Sequence, residues 1–260
     1  MGDNTATMMR RHGVDRMDIA IVADIHGNRW ALEAVLEDIE RRRAALIVDL
    51  GDSLLGPLDP AGTADLLMSR SIPSILGNQD RAILDDDGEK DSPSLRLAGN
   101  VLNDSHRSWL AALPPTRLLL DEILLCHGTP SSDSTYLLEQ PTSHGSVLRP
   151  AAEIVEQLAG TRQDLVICAH SHIPRLVALT GGRLVANPGS VGVQAYTDDL
   201  PVPHKMETGS PHARYAALSN GHRGWCISFR AVPYDWERAA RSAQEIGVPA
   251  YAAWIRTGRA

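Results

Sequence analysis

A chain of 260 residues with 43% hydrophobic content can bury the core of one large α/β domain, and no Pro/Gly/Ser-rich stretch divides it into two. Its 25 basic and 32 acidic residues leave a net charge of -7, which argues against a protein that grips nucleic acid through its phosphates. No early apolar run is long enough for a signal peptide or a membrane span, so a cytoplasmic setting is expected, and three cysteines, two of them in apolar runs, suit a reducing compartment.

Residues 1–16 are expected to be a disordered tail and residues 17–260 a single domain. The apolar run from Ile19 to Val22 stops at Asp24-Ile25-His26-Gly27, which reads as a strand delivering two polar side chains to its carboxyl end. Asn28 can cap a helix carrying Leu32, Val35, Leu36 and Ile39 at helical spacing. A second strand over 46–50 runs into Gly51-Asp52. A helix over 60–70 then leads to a third strand over 72–76, which ends at Gly77-Asn78-Gln79-Asp80. Right-handed crossovers would put these strand ends on one edge.

The acidic, breaker-rich segment 85–93 reads as a mobile surface loop. Asp104 is the expected cap of a short helix, followed by a strand over 118–126 that ends at His127-Gly128. The polar loop 129–146 offers Asp133 and Tyr136 as candidates for a substrate entrance. A helix over 150–158 precedes a strand over 165–169 that ends at His170-Ser171-His172. The last third changes to short alternating strands, at 176–179, 184–186, 215–218 and 225–229, with turn signals at 180–183 and 220–222 that predict antiparallel hairpins. The long loop 197–214 carries His204, His212 and Arg214 as candidate phosphate contacts or proton donors. Asp235 is expected to cap a helix ending near Gly247, with Tyr251 and Trp254 pinning the C-terminus. The expected fold is α/β, a four-layer α-β-β-α sandwich of two mixed sheets flanked by helices.

Taken singly, Asp24 and Asp52 read as helix caps, Asn78 as a turn residue and His127 as a hydrogen-bonded core histidine. Taken together, Asp24, His26, Asp52, Asn78, His127, His170 and His172 supply the mixed nitrogen and oxygen donors that a pair of divalent metals ~3.5–4 Å apart requires. No carboxylate-only or four-thiolate grouping points to a magnesium cage or a zinc finger. Cys126 and Cys168, beside these residues, read as core packing.

This ordered set resembles the calcineurin-like metallophosphoesterases, whose motifs are D-x-H, G-D, G-N-H-D/E, H and G-H-x-H. Here they stand as Asp24-Ile25-His26, Gly51-Asp52, Gly77-Asn78-Gln79-Asp80, His127 and Ala169-His170-Ser171-His172. The stretch Asn187-Pro188-Gly189-Ser190-Val191-Gly192 is similar to the turn of the compact bacterial and archaeal phosphodiesterase branch. The resemblance implies that Asp24, His26 and His172 hold one metal, that Asn78, His127 and His170 hold the other, and that Asp52 bridges them. It implies a metal-bridging hydroxide as nucleophile, with Mn, Fe, Zn, Co or Ni as the metals. Two positions depart from the pattern, with Ala169 in place of a glycine and Gln79 in place of the usual histidine.

The implied protein is a dimetal phosphoesterase, either a phosphodiesterase or a nucleotide phosphohydrolase, acting on a small phosphorylated substrate, diester or nucleotide. Its expected catalytic residues are Asp52, Asn78 and Gln79, with His204 or His212 as the leaving-group acid that Gln79 cannot be. The alternative is a non-catalytic scaffold, a role the fold serves in a membrane-trafficking complex, or a phosphate or nucleotide sensor. The sequence leaves a homo-oligomer open.

Overall fold

The structure, a computed structural model, describes residues 18–86, 92–222 and 224–260. In chain order its elements begin with β1 (Asp18–Val22), α1 (Arg29–Arg42), β2 (Leu46–Asp49), α2 (Pro60–Ser69), α3 (Asn78–Leu84), α4 (Pro93–Val101) and α5 (Asp104–Ala111). Next come β3 (Thr116–Leu119), β4 (Ile123–Cys126), β5 (Glu139–Thr142), β6 (Gly145–Leu148), α6 (Ala151–Gln157), β7 (Leu165–Ile167), β8 (Arg175–Ala178) and β9 (Leu184–Asn187). The chain closes with β10 (Ala195–Asp198), β11 (His204–Glu207), β12 (Ala213–Gly221), β13 (Gly224–Val232), α7 (Trp236–Glu245) and α8 (Pro249–Thr257).

Two mixed sheets form the centre, ordered β13-β12-β1-β2 and β3-β4-β7-β9-β8. Successive side chains of a strand point to opposite faces, and in β1 both faces are buried, which explains its unbroken apolar run. Ile19 and Ile21, with Val48 and Leu50, face Ile123, Leu125, Leu165 and Ile167 of the other sheet. Ala20 and Val22 point the other way, against Leu32, Val35, Leu36 and Ile39 of α1. On the far side Val166 and Val185 pack on Ile154 of α6. The result is the expected α-β-β-α sandwich. Each fully buried Leu or Ile contributes about 1.5–3 kcal/mol, and truncating one such as Leu36 to Ala costs about 2–5 kcal/mol.

The helix signals hold where the caps are local. The Asn28 side chain accepts from Ala31 N (3.2 Å), and Arg43 closes α1 in the left-handed region at φ 58°. Asp59 accepts from Gly62 N (2.9 Å) ahead of Pro60, and Asp235 accepts from Arg238 N (3.0 Å). Asn103, not Asp104, caps α5, accepting from His106 N at 3.0 Å.

Several expectations are corrected. The third strand over 72–76 reduces to one parallel bridge, Asp49 to Ser74, because Pro73 in its middle has no N–H to give the ladder. The run 118–126 is not one strand but the β3/β4 hairpin, turning at Leu120 and Asp121 (φ 56° and 60°). The loops 129–146 and 197–214 each contain part of a hairpin, β5/β6 and β10/β11. The end of the acidic segment caps α4 through Ser92, which accepts from Leu95 N. The tail 1–16 and the acidic residues 87–91 lie outside the described residues. No helix among the described residues is long and apolar enough to cross a membrane.

Candidate metal centre

The carboxyl ends of β1, β2, β4 and β7 and the N-terminus of α3 meet at one edge of the sandwich. Nine of the described non-glycine residues have positive φ, and five of them are Asp24 (53°), His26 (51°), Asp52 (53°), His170 (69°) and His172 (61°). Such backbone costs of order 1–3 kcal/mol per residue and persists only where its surroundings fix it, and it concentrates at functional sites. Here the bracing is explicit. Asp24 N donates to Gly51 O (3.0 Å) and His26 N to Asp52 O (2.9 Å), binding the first two loops together. The turn 187–192 clamps the first loop from outside, with Ser190 Oγ and Gly192 N both donating to Asp24 O (2.7 and 3.0 Å) and Asn28 Nδ2 donating to Gly192 O (2.8 Å).

Asp80 braces the second loop from below. Its buried carboxylate accepts from the backbone N–H groups of Ser53, Leu54 and Gly77 at 3.0 to 3.4 Å. Gly77 is obligatory, because a Cβ there would fall 2.2 Å from Asp52 Oδ1. That close approach lets Gln79 N donate to the same Asp52 Oδ1 at 2.8 Å.

Three histidines are fixed in one tautomer. Nδ1 of His26 lies 2.9 Å from Leu55 O, that of His127 lies 2.8 Å from Leu50 O, and that of His172 lies 2.8 Å from Val193 O. A carbonyl only accepts, so each Nδ1 carries hydrogen and each Nε2 turns inward, the arrangement that orients imidazole ligands. His26 Nε2 and His172 Nε2 face each other at 3.2 Å, two lone pairs in repulsion unless a proton or a cation lies between them. Beside them both carboxylate oxygens of Asp24 are buried without a hydrogen-bond partner, and Oδ1 is 3.4 Å from His172 Nε2. Orphaned buried carboxylate oxygens are rare because each carries its full desolvation penalty. This donor set fits a divalent cation.

A second group adjoins the first. His127 Nε2 is 3.2 Å from Asp52 Oδ2 and 3.1 Å from Asn78 Oδ1, and Asp52 Oδ2 is also 3.9 Å from His26 Nε2. The ligand atoms of Asp24, His26 and His172 lie within 4.8 Å of one another, as do those of Asp52, His127 and His170. Asp52 therefore stands between the groups. Burial works to raise its carboxyl, yet the adjoining His127 and His26 hold it well below the ordinary range. Burial opposes charge on His127 too, but Asp52 and Asp24 push it up to about 10, while burial and the charge of His127 push His170 down to about 4. The Asp24 carboxyl, raised by burial, is brought below its ordinary value by His172.

Above these groups lies a cavity of about 380 Å³. His26, Asp52, Asn78, Gln79, His170 and His172 form its floor, and Ser92, Ser94, Tyr196, Asp198 and Tyr251 stand in its walls. The structure thus brings together all seven residues picked from the strand ends, and Gln79 with them. It does not bring His204 or His212 to the cavity. His204 is buried with Nε2 against Tyr136 Oη (3.1 Å), and His212 pairs with Ser210 Oγ (2.7 Å) beside Trp236. Asp133 is held by Arg81 in a two-pronged pair (2.7 and 3.0 Å).

Sequence reasoning missed the wall residues and Asp80. Asp80 was signalled as the last position of the G-N-x-D stretch. The wall residues carry no local signal, since Tyr196 and Asp198 sit on a short hairpin and Tyr251 on α8, far along the chain from the centre.

A two-sheet sandwich with an Asp/His/Asn cluster at the strand ends is an architecture suited to holding divalent cations. The family model of the calcineurin-like phosphoesterase superfamily domain matches residues 17–201, and the chain belongs to that superfamily. An uncharacterized protein of Methanocaldococcus jannaschii is 25% identical over 199 residues, 67% of this chain and 76% of that protein. The fold is shared with a metallophosphoesterase from Sphaerobacter thermophilus (TM-score 0.72, 22% identity, 93% of this chain and 99% of that one). It is shared as well with a hypothetical protein from Pyrococcus horikoshii OT3 (TM-score 0.68, 19% identity, 93% and 98%).

Proposed function

We propose that the chain from residue 17 onward acts as one dimetal phosphoesterase domain, hydrolysing a small phosphodiester or a nucleotide. The observation that carries this reading is the pair of orphaned Asp24 oxygens beside the facing Nε2 atoms of His26 and His172. Asp24, His26 and His172 would hold one divalent cation, Asn78, His127 and His170 the other, with Asp52 shared. Manganese, iron, zinc, cobalt and nickel all suit these donors. Bound there, the cations would supply Lewis acidity toward phosphoryl oxygens and lower the pKa of a water.

The chain's own contribution is orientation. The carbonyls of Leu55, Leu50 and Val193 fix the imidazoles, and the Gln79 N–H fixes Asp52. The Gln79 side chain at the cavity floor can donate a hydrogen bond to a phosphoryl oxygen but cannot release a proton, which favours substrates with good leaving groups. A cavity of about 380 Å³ suits a nucleotide-sized phosphoester. The free, buried thiols of Cys126 and Cys168 accord with a cytoplasmic setting.

The test is hydrolysis of an aryl phosphodiester with added manganese, run beside Asp52→Asn. Manganese-dependent turnover that the variant lacks is the expected result. Wild-type protein that binds the metal and turns over no phosphoester in a panel of monoesters, diesters and dinucleoside polyphosphates would sink the enzymatic reading.

A further inference from the structure

His170 differs from the other three histidines of the centre. Its side chain makes no hydrogen bond to a backbone carbonyl among the described residues, so nothing of the kind that fixes His26, His127 and His172 sets its ring plane. What touches it instead is an aromatic face. The Tyr136 ring stacks on the His170 imidazole with centroids 4.5 Å apart and planes 20° from parallel, while the His127 ring is 5.3 Å away and tilted by 55°.

The stacking ring is itself tethered. His204 Nδ1 is 2.8 Å from Val202 O, so that nitrogen bears the hydrogen and Nε2 is an acceptor. Tyr136 Oη, 3.1 Å away, therefore donates to His204 Nε2 and accepts from Tyr196 Oη at 3.0 Å. Tyr196 Oη also lies 3.0 Å from His170 O, so its single hydrogen is shared between Tyr136 Oη and the backbone of the residue whose ring Tyr136 faces. Tyr136 and His204 are both buried, at 5% and 6% exposure, and His204 meets the Tyr136 ring edge-on at 5.5 Å. Burial and these hydrogen bonds fix the plane of the Tyr136 ring.

We propose that Tyr136 and His204 are positioning residues that set the orientation of the His170 imidazole as a ligand of the second metal. The stack replaces the carbonyl that the backbone does not offer His170. His204 thereby has a role that requires no access to the cavity, and it is an acceptor rather than an acid. The inference rests on the dimetal reading above.

The experiment measures manganese binding to the full chain by titration calorimetry, together with the spin-coupled electron paramagnetic resonance signal that two adjacent manganese ions give. Tyr136→Leu removes the stack and is expected to weaken the second site about tenfold to a hundredfold and abolish the coupled signal. Affinity at the first site should change by less than about threefold. Tyr136→Phe keeps the ring and loses the tether, and His204→Leu does the same from the other end. Both should weaken the second site by a smaller, matching factor, and His204→Gln, whose amide oxygen can accept from Tyr136, should restore it.

Folded Tyr136→Leu with wild-type affinity at both sites and an intact coupled signal would overturn the assignment while leaving two metals in place. Should Tyr136→Leu fail to fold, wild-type second-site affinity in both Tyr136→Phe and His204→Leu would overturn the tether. Wild-type protein that binds one manganese per chain would overturn the dimetal reading itself, and the role of Tyr136 with it.

Discussion

Asp52 has a buried carboxylate whose Oδ2 stands 3.2 Å from His127 Nε2 and 3.9 Å from His26 Nε2, while Oδ1 accepts the Gln79 N–H. Asp52→Asn keeps the shape and that hydrogen bond but removes the charge that two cations would share. We expect kcat/KM to fall at least about a hundredfold with the circular dichroism spectrum unchanged; a variant that binds two metals and hydrolyses normally would remove Asp52 from the bridging position. Gln79 poses the complementary question, because it lines the cavity where the family pattern has histidine. Gln79→His should raise kcat/KM on monoesters relative to diesters, since imidazole can give a proton to a poor leaving group. His204 is buried behind Tyr136 and away from the cavity, so His204→Ala should slow good and poor leaving groups alike. A steeper dependence on leaving-group pKa in His204→Ala would return it to the role of acid.

At the scale of elements, strands buried on both faces were legible in the sequence, as were alternating strands with one face to solvent such as β8 and β13, whereas two short hairpins inside polar loops were not. The apolar runs of β1, β2, β4 and β7 announced themselves, and their last residues led directly to Asp24, Asp52, His127 and His170. The hairpins β5/β6 and β10/β11 stayed hidden in polar loops because residues such as Gln140, Val147, Leu148 and Lys205 are exposed, so no alternation marks them. His204 and His212 drew notice by composition alone, which does not say where a hairpin carries its side chains.

The end of β2 makes a pH-dependent prediction that no motif suggested. Burial, with Asp80 nearby, pushes the Asp49 carboxyl from 3.8 up to about 7. An unfolded chain releases this proton near 3.8, whereas the folded chain keeps it until about 7. Between those values the folded state binds more protons, so this contribution is fully present below 3.8 and is lost as pH rises through 7, at up to about 1.4 kcal/mol per pH unit. Asp80, raised to about 7 by burial and Asp52, adds a slope of the same sign. In chelator, Asp49→Asn should flatten the decline of unfolding free energy between pH 4 and pH 7. An unchanged slope in urea titrations would show that Asp49 is not its source.

Over the whole molecule, the two sheets, the helices that cover them and the turn 187–192 hold seven donor side chains from five separate segments at one edge. Five of those residues have strained backbone, and the two oxygens of Asp24 are buried unpaired. An edge built this way loses stability by itself and regains it when a cation satisfies the donors. Chelation should therefore lower Tm, by roughly 5–10 °C for each site previously held at a hundred times its dissociation constant. A fall on chelation alone would follow from almost any metal site, so the sharper test is Asp24→Asn, since Asn tolerates the left-handed backbone at φ 53° as well as Asp does. Without metal this variant sheds a buried, unbonded carboxylate but also the charge that His172 favours in the fold, so the two effects oppose and its Tm should stay close to that of wild type. With saturating manganese it should fall clearly below wild type, because the first site keeps only the shared Asp52 as an anionic ligand, so the gap between the two proteins opens with the metal. A variant destabilised by the same amount in chelator and in manganese would mean that Asp24 supports the fold through contacts unrelated to metal, and the dimetal reading would lose the observation on which it chiefly stands.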